Sequence, residues 1–194
     1  MKPFAMQAAL LADHRLNRRR FLTWGALATA MSLSPHVVHA TDRSIHPPER
    51  SIALYNMHTG ESLSTVYWVK GEYLPDALEA VDYLFRDHRT DETMPIDPQL
   101  LDLLHALSQE LECRYSFHIV SGYRSPATNA YLRRHSRSVA QRSLHIEGKA
   151  VDFRLPGYDS ALLRRAAIAL QAGGVGYYPR SDFVHLDVGK IRYW

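Results

Sequence analysis

Three short polar segments hold the residue types from which a catalytic metal site is made: Ser121-Gly122-Tyr123-Arg124-Ser125, Ser143 to Asp152, and Asp182-Phe183-Val184-His185-Leu186-Asp187. A zinc ion used for hydrolysis takes three protein ligands, commonly histidine and carboxylate, and keeps a position for water. His145, Asp152 and His185 supply such a set. Gly148, followed by the small Ala150, lets the chain turn closely between the first two. One histidine alone is weak evidence, because eight of the 11 lie beyond residue 40. Asp152 is stronger: it stands between Val151 and Phe153, and a carboxylate in an apolar strand is costly to bury unless it is paired or bound to metal.

Other chemistries lack their context. Glu147 follows a candidate ligand by two residues, but no His-Glu-x-x-His helix is present, so it reads as exposed. Neither Ser121 nor Ser143 sits in a Gly-x-Ser-x-Gly elbow, which argues against a serine nucleophile. Cys113 is the only cysteine, so no disulfide can form within the chain, and it reads as a buried, inert thiol.

The elements that must position these segments follow from periodicity. Ser51–Tyr55 and Leu63–Val69 are β-prone runs around His58-Thr59-Gly60-Glu61, which predicts a hairpin. Leu78, Val81, Leu84 and Phe85 mark one helix face after Pro75-Asp76. Asp97-Pro98 opens a second helix striped by Leu100, Leu103, Leu104, Leu107 and Leu111. His88 and His105 fall on these scaffold segments and read as surface or packing residues. Phe117, Ile119 and Val120 predict a strand ending at Ser121-Gly122, and Arg124 to Lys149 a short helix and loop. Ala150–Leu155 reads as a strand, Ser160–Ala172 as a helix, and Val175–Tyr178 and Phe183–Val188 as two closely linked strands. Strands joined so tightly cannot be βαβ crossovers, so the expectation is an α+β domain with a small antiparallel sheet flanked by helices.

The chain has 194 residues, 46% hydrophobic and 22% charged, enough for one folded domain. Its +3 charge is not spread evenly. Residues 1–40 hold Lys2, Arg15, Arg18, Arg19 and Arg20 against Asp13, leaving the rest at about −1, so basicity is no argument for nucleic acid. Arg18-Arg19-Arg20-Phe21-Leu22, an apolar stretch from Trp24 to Leu33, and Val38-His39-Ala40 have the order of an export signal of twin-arginine type. Cleavage is expected after Ala40, with Met6 an alternative start. The apolar stretch is too short for a retained membrane span. Residues 41–50, with Pro47-Pro48, read as a linker, and 51–194 as the domain.

The string Ser-x-His-x-x-Gly-x-Ala-x-Asp at residues 143–152, with Ser-Gly-Tyr-Arg-Ser before it and Asp-x-x-His after it, resembles the M15 family of zinc peptidases. That family comprises D-alanyl-D-alanine peptidases and peptidoglycan endopeptidases. The likeness covers roughly residues 50–194 with all three motifs in order, and with the leader it points to twin-arginine-exported murein endopeptidases. It implies one Zn²⁺ on His145, Asp152 and His185, Asp182 as the catalytic carboxylate, and Arg124 beside the scissile carbonyl. Tyr123 and Ser143 would join Arg124 at the substrate, and Asp187 would support the site from behind the ligands while competing with Asp182 for the role of base. One point strains this reading. In a regular strand Asp182 would face away from His185, unless Pro179 and Ser181 hold it in a turn.

The resemblance implies a periplasmic enzyme that uses metal-activated water to cut peptidoglycan cross-links between diaminopimelate residues, or between D-alanine and diaminopimelate. Its partners would be stem peptides, with no nucleic acid and no membrane anchor after cleavage, and the chain a monomer. The rivals are a D-alanyl-D-alanine carboxypeptidase with the same site and a noncatalytic wall-binding module. Arg133, Arg134, Arg137 and Arg142 read first as a solvated face, and otherwise as an attractor for stem-peptide carboxylates.

Overall fold

The computed structural model describes residues 48–136 and 139–194. The export signal, most of the linker and Arg137 lie outside the described residues. Among these residues eight strands form a single sheet in the order β3-β2-β1-β4-β5-β7-β6-β8. They are β1 Glu49–Asn56, β2 Ser62–Val69, β3 Glu72–Tyr73, β4 Phe117–Ser121, β5 Ala150–Arg154, β6 Gly174–Tyr178, β7 Phe183–Asp187 and β8 Arg192–Tyr193. The helices are α1 Pro75–Leu84, α2 Pro98–Glu110, α3 Pro126–His135 and α4 Ser160–Ala169. The α+β class holds, but the sheet is larger than expected and mixed. β1 runs parallel to β4, and β6 parallel to β8. The parallel pairing arises because α1 and α2 intervene between β1 and β4, which is long enough to carry the chain back to the same end of the sheet.

Alternation along each strand separates two faces. Ile52, Leu54, Phe117, Ile119, Val151, Phe153, Val175, Val184 and Leu186 point to one side and join Val81, Leu84, Leu100, Leu104, Leu107 and Leu163 of the helices in a single core. The helix starts follow their sequence signals. Asp97 and Ser125 each accept from a backbone N–H of the first turn, followed by proline at the first helical position, and Asp159 caps α4 in the same way. α4 ends at Ala169, three residues earlier than expected, because Gln171 turns left-handed, with φ 51°. Cys113 is half-buried against the core rather than enclosed. His105 Nδ1 donates to the Ser51 carbonyl at 3.1 Å and His88 stacks on His58 at 3.7 Å, both packing roles.

One polar cluster ties α2 to three strands. The Asp102 carboxylate takes Arg50 Nη1 at 2.6 Å, the Tyr67 hydroxyl at 3.0 Å and the Tyr73 hydroxyl at 2.7 Å. Burial pushes the Asp102 carboxyl up, but the hydrogen bonds from Tyr73, Arg50 and Tyr67 outweigh it and hold the group below its ordinary value. A depressed folded value gives stability that is present above the unfolded pKa and lost as pH falls through the folded one. Asp102→Asn is therefore expected to lower stability toward urea by about 1–3 kcal/mol at pH 7. The gap from the parent protein should narrow as pH falls below about 4. A gap unchanged at low pH would remove the carboxylate's charge from the account.

Candidate metal centre

The second face of the sheet carries the polar segments. Ser121, Asp152, His185 and Gly176 stand directly opposite one another on β4, β5, β7 and β6, a single row across four strands. Asp152 and His185 are thus brought together by register alone. His145 reaches the row from outside the sheet, on a 3₁₀ turn at Leu144–Glu147 that the sequence did not signal. Gly148 closes this turn in the left-handed region at φ 67°, and a Cβ there would lie 2.3 Å from the Pro95 carbonyl oxygen. Only glycine meets both demands, and the sharp return it allows delivers the chain from His145 into β5.

Three donor atoms converge. His185 Nδ1 lies 2.8 Å from Asp152 Oδ1, His145 Nε2 lies 3.3 Å from the same oxygen, and the two ring nitrogens are 3.2 Å apart. A tetrahedral zinc with ligands at 2.0–2.1 Å has edges of about 3.3 Å, so the residues present fit the ion. They are the one group of this kind among the described residues. The opposite nitrogen of each ring is engaged. His145 Nδ1 lies 2.7 Å from the Gly122 carbonyl oxygen and His185 Nε2 lies 2.9 Å from Asp187 Oδ2. A ring N–H donated to an oxygen on one side leaves the lone pair of the other nitrogen directed at the shared centre. Asp187 is fully buried and is itself held by the Gly174 and Gly189 N–H groups and by Arg192.

The three donor groups shift one another's titration. Burial raises Asp152, yet the facing His145 and His185 more than offset it and hold the carboxyl well below the usual range. Burial lowers His185, but hydrogen bonds to Asp152 and Asp187 turn the balance and raise it to about 9. His145 shares only Asp152 and, fully enclosed, is lowered by burial. One ring is therefore held neutral and the other sits between two anions.

The centre opens onto a cleft of about 220 Å³, lined by Arg124, Arg142, Ser143, Tyr178, Phe183, Arg192 and Trp194 as well as the three donor residues. Arg124 Nη2 lies 3.3 Å from Ser121 Oγ and 3.4 Å from Asp152 Oδ2, while its Nε is buried with no partner among the described residues. Trp194 forms the opposite wall, its ring 5.3 Å from His185 and its Nε1 donating to the Tyr178 hydroxyl at 3.0 Å. This wall exists because β6 carries Gly176, where a Cβ would come within 2.7 Å of the indole. Sequence reasoning missed Trp194, Arg192, Tyr178 and Phe183. The Arg-x-Trp pattern in the polar stretch after the last long strand was the available signal.

Two expected site residues lie elsewhere. Tyr123 is buried in the core, its N–H bonded to the Phe85 carbonyl, and it does not line the cleft. Its neighbour Arg124, beyond the end of β4, lines the cleft instead. Asp182 does occupy the turn between β6 and β7, in the left-handed region at φ 49°, but it is exposed and lines a different pocket from that of the metal centre. Ser143 is buried at the cleft wall. Glu147 is exposed and paired with Lys149 at 3.0 Å. Of the basic cluster, Arg133 and Arg134 are exposed on the last turn of α3, and Arg142 alone of the described members reaches the cleft.

A peptidase M15 family model, described as "Peptidoglycan L,D-endopeptidase MepK", matches residues 44–194. The peptidoglycan L,D-endopeptidase MepK of Escherichia coli K12 is 41% identical over 178 residues, covering 92% of this chain and 97% of the relative. The probable peptidoglycan L,D-endopeptidase MepK of Haemophilus influenzae is 39% identical over 179 residues, covering 92% and 95%. With matches of this extent, the chain belongs to the MepK family of M15 peptidases.

Proposed function

We propose that this protein is a zinc-dependent peptidoglycan endopeptidase that acts in the periplasm on cross-links formed through diaminopimelate. The observation that carries the reading is the convergence of His145 Nε2, Asp152 Oδ1 and His185 Nδ1 at tetrahedral-edge spacing, at the floor of an open cleft beside Arg124. His145, Asp152 and His185 would hold the ion, whose chemistry is to lower the pKa of a bound water toward 7 and polarise an amide carbonyl. Asp187 and the Gly122 carbonyl fix the orientation of the two rings. Arg124 places a guanidinium where negative charge develops on the carbonyl oxygen. Trp194 and Tyr178 border the cleft and position the peptide against the donors. The basic, apolar and small-residue order of residues 18–40 supports delivery by the twin-arginine route, and among the described residues no helix is long and apolar enough to cross a membrane.

The test is digestion of purified sacculi with zinc-loaded protein, with and without a chelator, with released peptides identified by mass. Loss of cross-linked dimers that stops on chelation and returns with added zinc is expected. Dimers that persist under all conditions would overturn the reading, and release of D-alanine alone would identify a carboxypeptidase instead.

A further inference from the structure

Asp182, displaced from the metal centre, has a place in a second pocket. Two residues along β5 from Asp152, about 7 Å away and on the same sheet face, Arg154 begins a second row of side chains. It pairs with His118 of β4, which in turn pairs with Tyr55 of β1. A pocket of about 290 Å³ opens here, lined by Met57, His118, Arg154, Pro156, Tyr158 and Asp182 among others. Arg154 and Asp182 bring opposite charges to it from β5 and from the turn before β7. Arg154 Nη2 donates to the carbonyl of Ser181 at 2.7 Å, which fixes the guanidinium beside the residue that precedes Asp182. The Arg154 Nε is buried without a partner, and neither its Nη1 nor the Asp182 carboxylate has a hydrogen-bond or ion-pair partner among the described residues.

A cation and an anion lining the same pocket would ordinarily join as an ion pair. Here the two make none, and each has capacity left. That combination is complementary to a group carrying both charges on one carbon. We infer that this pocket is a subsite for an α-amino acid head group, with Arg154 receiving the carboxylate and Asp182 the ammonium. The inference rests on the endopeptidase reading for its ligand. A diaminopimelyl residue whose L-centre supplies the scissile carbonyl ends its side chain in such a head, four carbon–carbon bonds away, a span of about 5 Å when extended. With its charged groups added, that reach matches the step from the Asp152 row to Arg154. The apolar Met57, Pro156 and Tyr158 suit the methylenes between. Arg154 is suited to the carboxylate because its planar fork offers parallel N–H groups, while the single carboxylate of Asp182 suits an ammonium.

The experiment compares three diaminopimelate-cross-linked dimers that differ only at the free head group of the donor residue: native, N-acetylated, and amidated at the carboxylate. For the zinc-loaded protein each modification should raise KM about tenfold with kcat within about threefold, the loss of one charge-assisted hydrogen bond. Asp182→Asn should raise KM for the native dimer and abolish the discrimination against the acetylated one while keeping that against the amidated one. Arg154→Gln should do the reverse. Because the comparison is made within each variant, a partly unfolded variant cannot mimic the pattern. Equal use of all three dimers by the parent protein, or variants that still discriminate as it does, would overturn the subsite. Binding of the uncross-linked diaminopimelyl tripeptide and its acetylated form, followed by calorimetry, separates the two readings. Native-only binding without hydrolysis of any dimer supports the subsite and sinks the endopeptidase reading. Hydrolysis indifferent to the head group does the opposite.

Discussion

Asp152→Ala is expected to abolish stoichiometric zinc binding and to lower the hydrolysis of cross-linked dimers by about 10³-fold or more, because the ion's contribution to the barrier amounts to several kcal/mol. Asp152 is the only anionic member of the donor set, and it is the residue that both histidines face. Without it a dication would be held by two neutral rings, and Arg124 would lose the carboxylate at 3.4 Å. Asp152→Asn sharpens the result: it preserves shape and one oxygen but removes the charge, and should also lose the metal. Zinc content by elemental analysis and dimer loss on the same preparations provide the check. A variant that holds one zinc per chain and cuts at the parent rate would exclude Asp152 from the centre.

Arg124→Met is expected to reduce kcat by about 10²–10³-fold, the range for removing one donor to a developing oxyanion, while zinc content stays at one per chain. The reason lies in how the guanidinium is held. Burial pulls Arg124 below its ordinary pKa, with Asp152 opposing, yet its Nε has no acceptor among the described residues and its two Nη2 contacts are long, at 3.3 and 3.4 Å. A buried cation with unfilled hydrogen-bonding capacity costs stability unless a ligand completes it. Replacing it with a flexible apolar side chain should therefore leave thermal stability unchanged or higher, the trade expected of a residue kept for binding or catalysis. Turnover lost together with zinc or with the fold would assign Arg124 to structure instead.

How far the sequence could be read depended on the range of the interaction involved. The helix start at Pro98 rests on a capping group one residue before it, so local chemistry located it. The face of β5 that carries Asp152 follows from alternation, and the Ser143–Asp152 string brought its two donor candidates together on one segment. β3 and β8 were not legible, since two-residue strands have no period and exist only because a neighbour offers an edge. The parallel pairing of β1 with β4 was equally hidden, for it depends on where α1 and α2 leave the chain. Asp182 shows the limit most clearly. Its spacing of three from His185 fits a motif, but spacing does not say into which pocket a turn residue points, and the left-handed turn directs it to the side of Arg154.

By itself the sequence determined the composition of the site: which side chains can donate to a metal, which carboxylate is too costly to leave unpaired in an apolar strand, and that the chain's basicity resides in its first 40 residues. Those are properties of residue type and near neighbours, settled by desolvation cost and backbone preference within a few positions. The tertiary structure decided the rest. It set Asp152 against His185 through the register of β5 and β7, swung His145 over them on a glycine-closed turn, raised Trp194 as a wall over Gly176, buried Tyr123, and moved Asp182 to a second pocket. Each of these depends on contacts between residues tens of positions apart, whose geometry is set by sheet register and packing rather than by spacing along the chain.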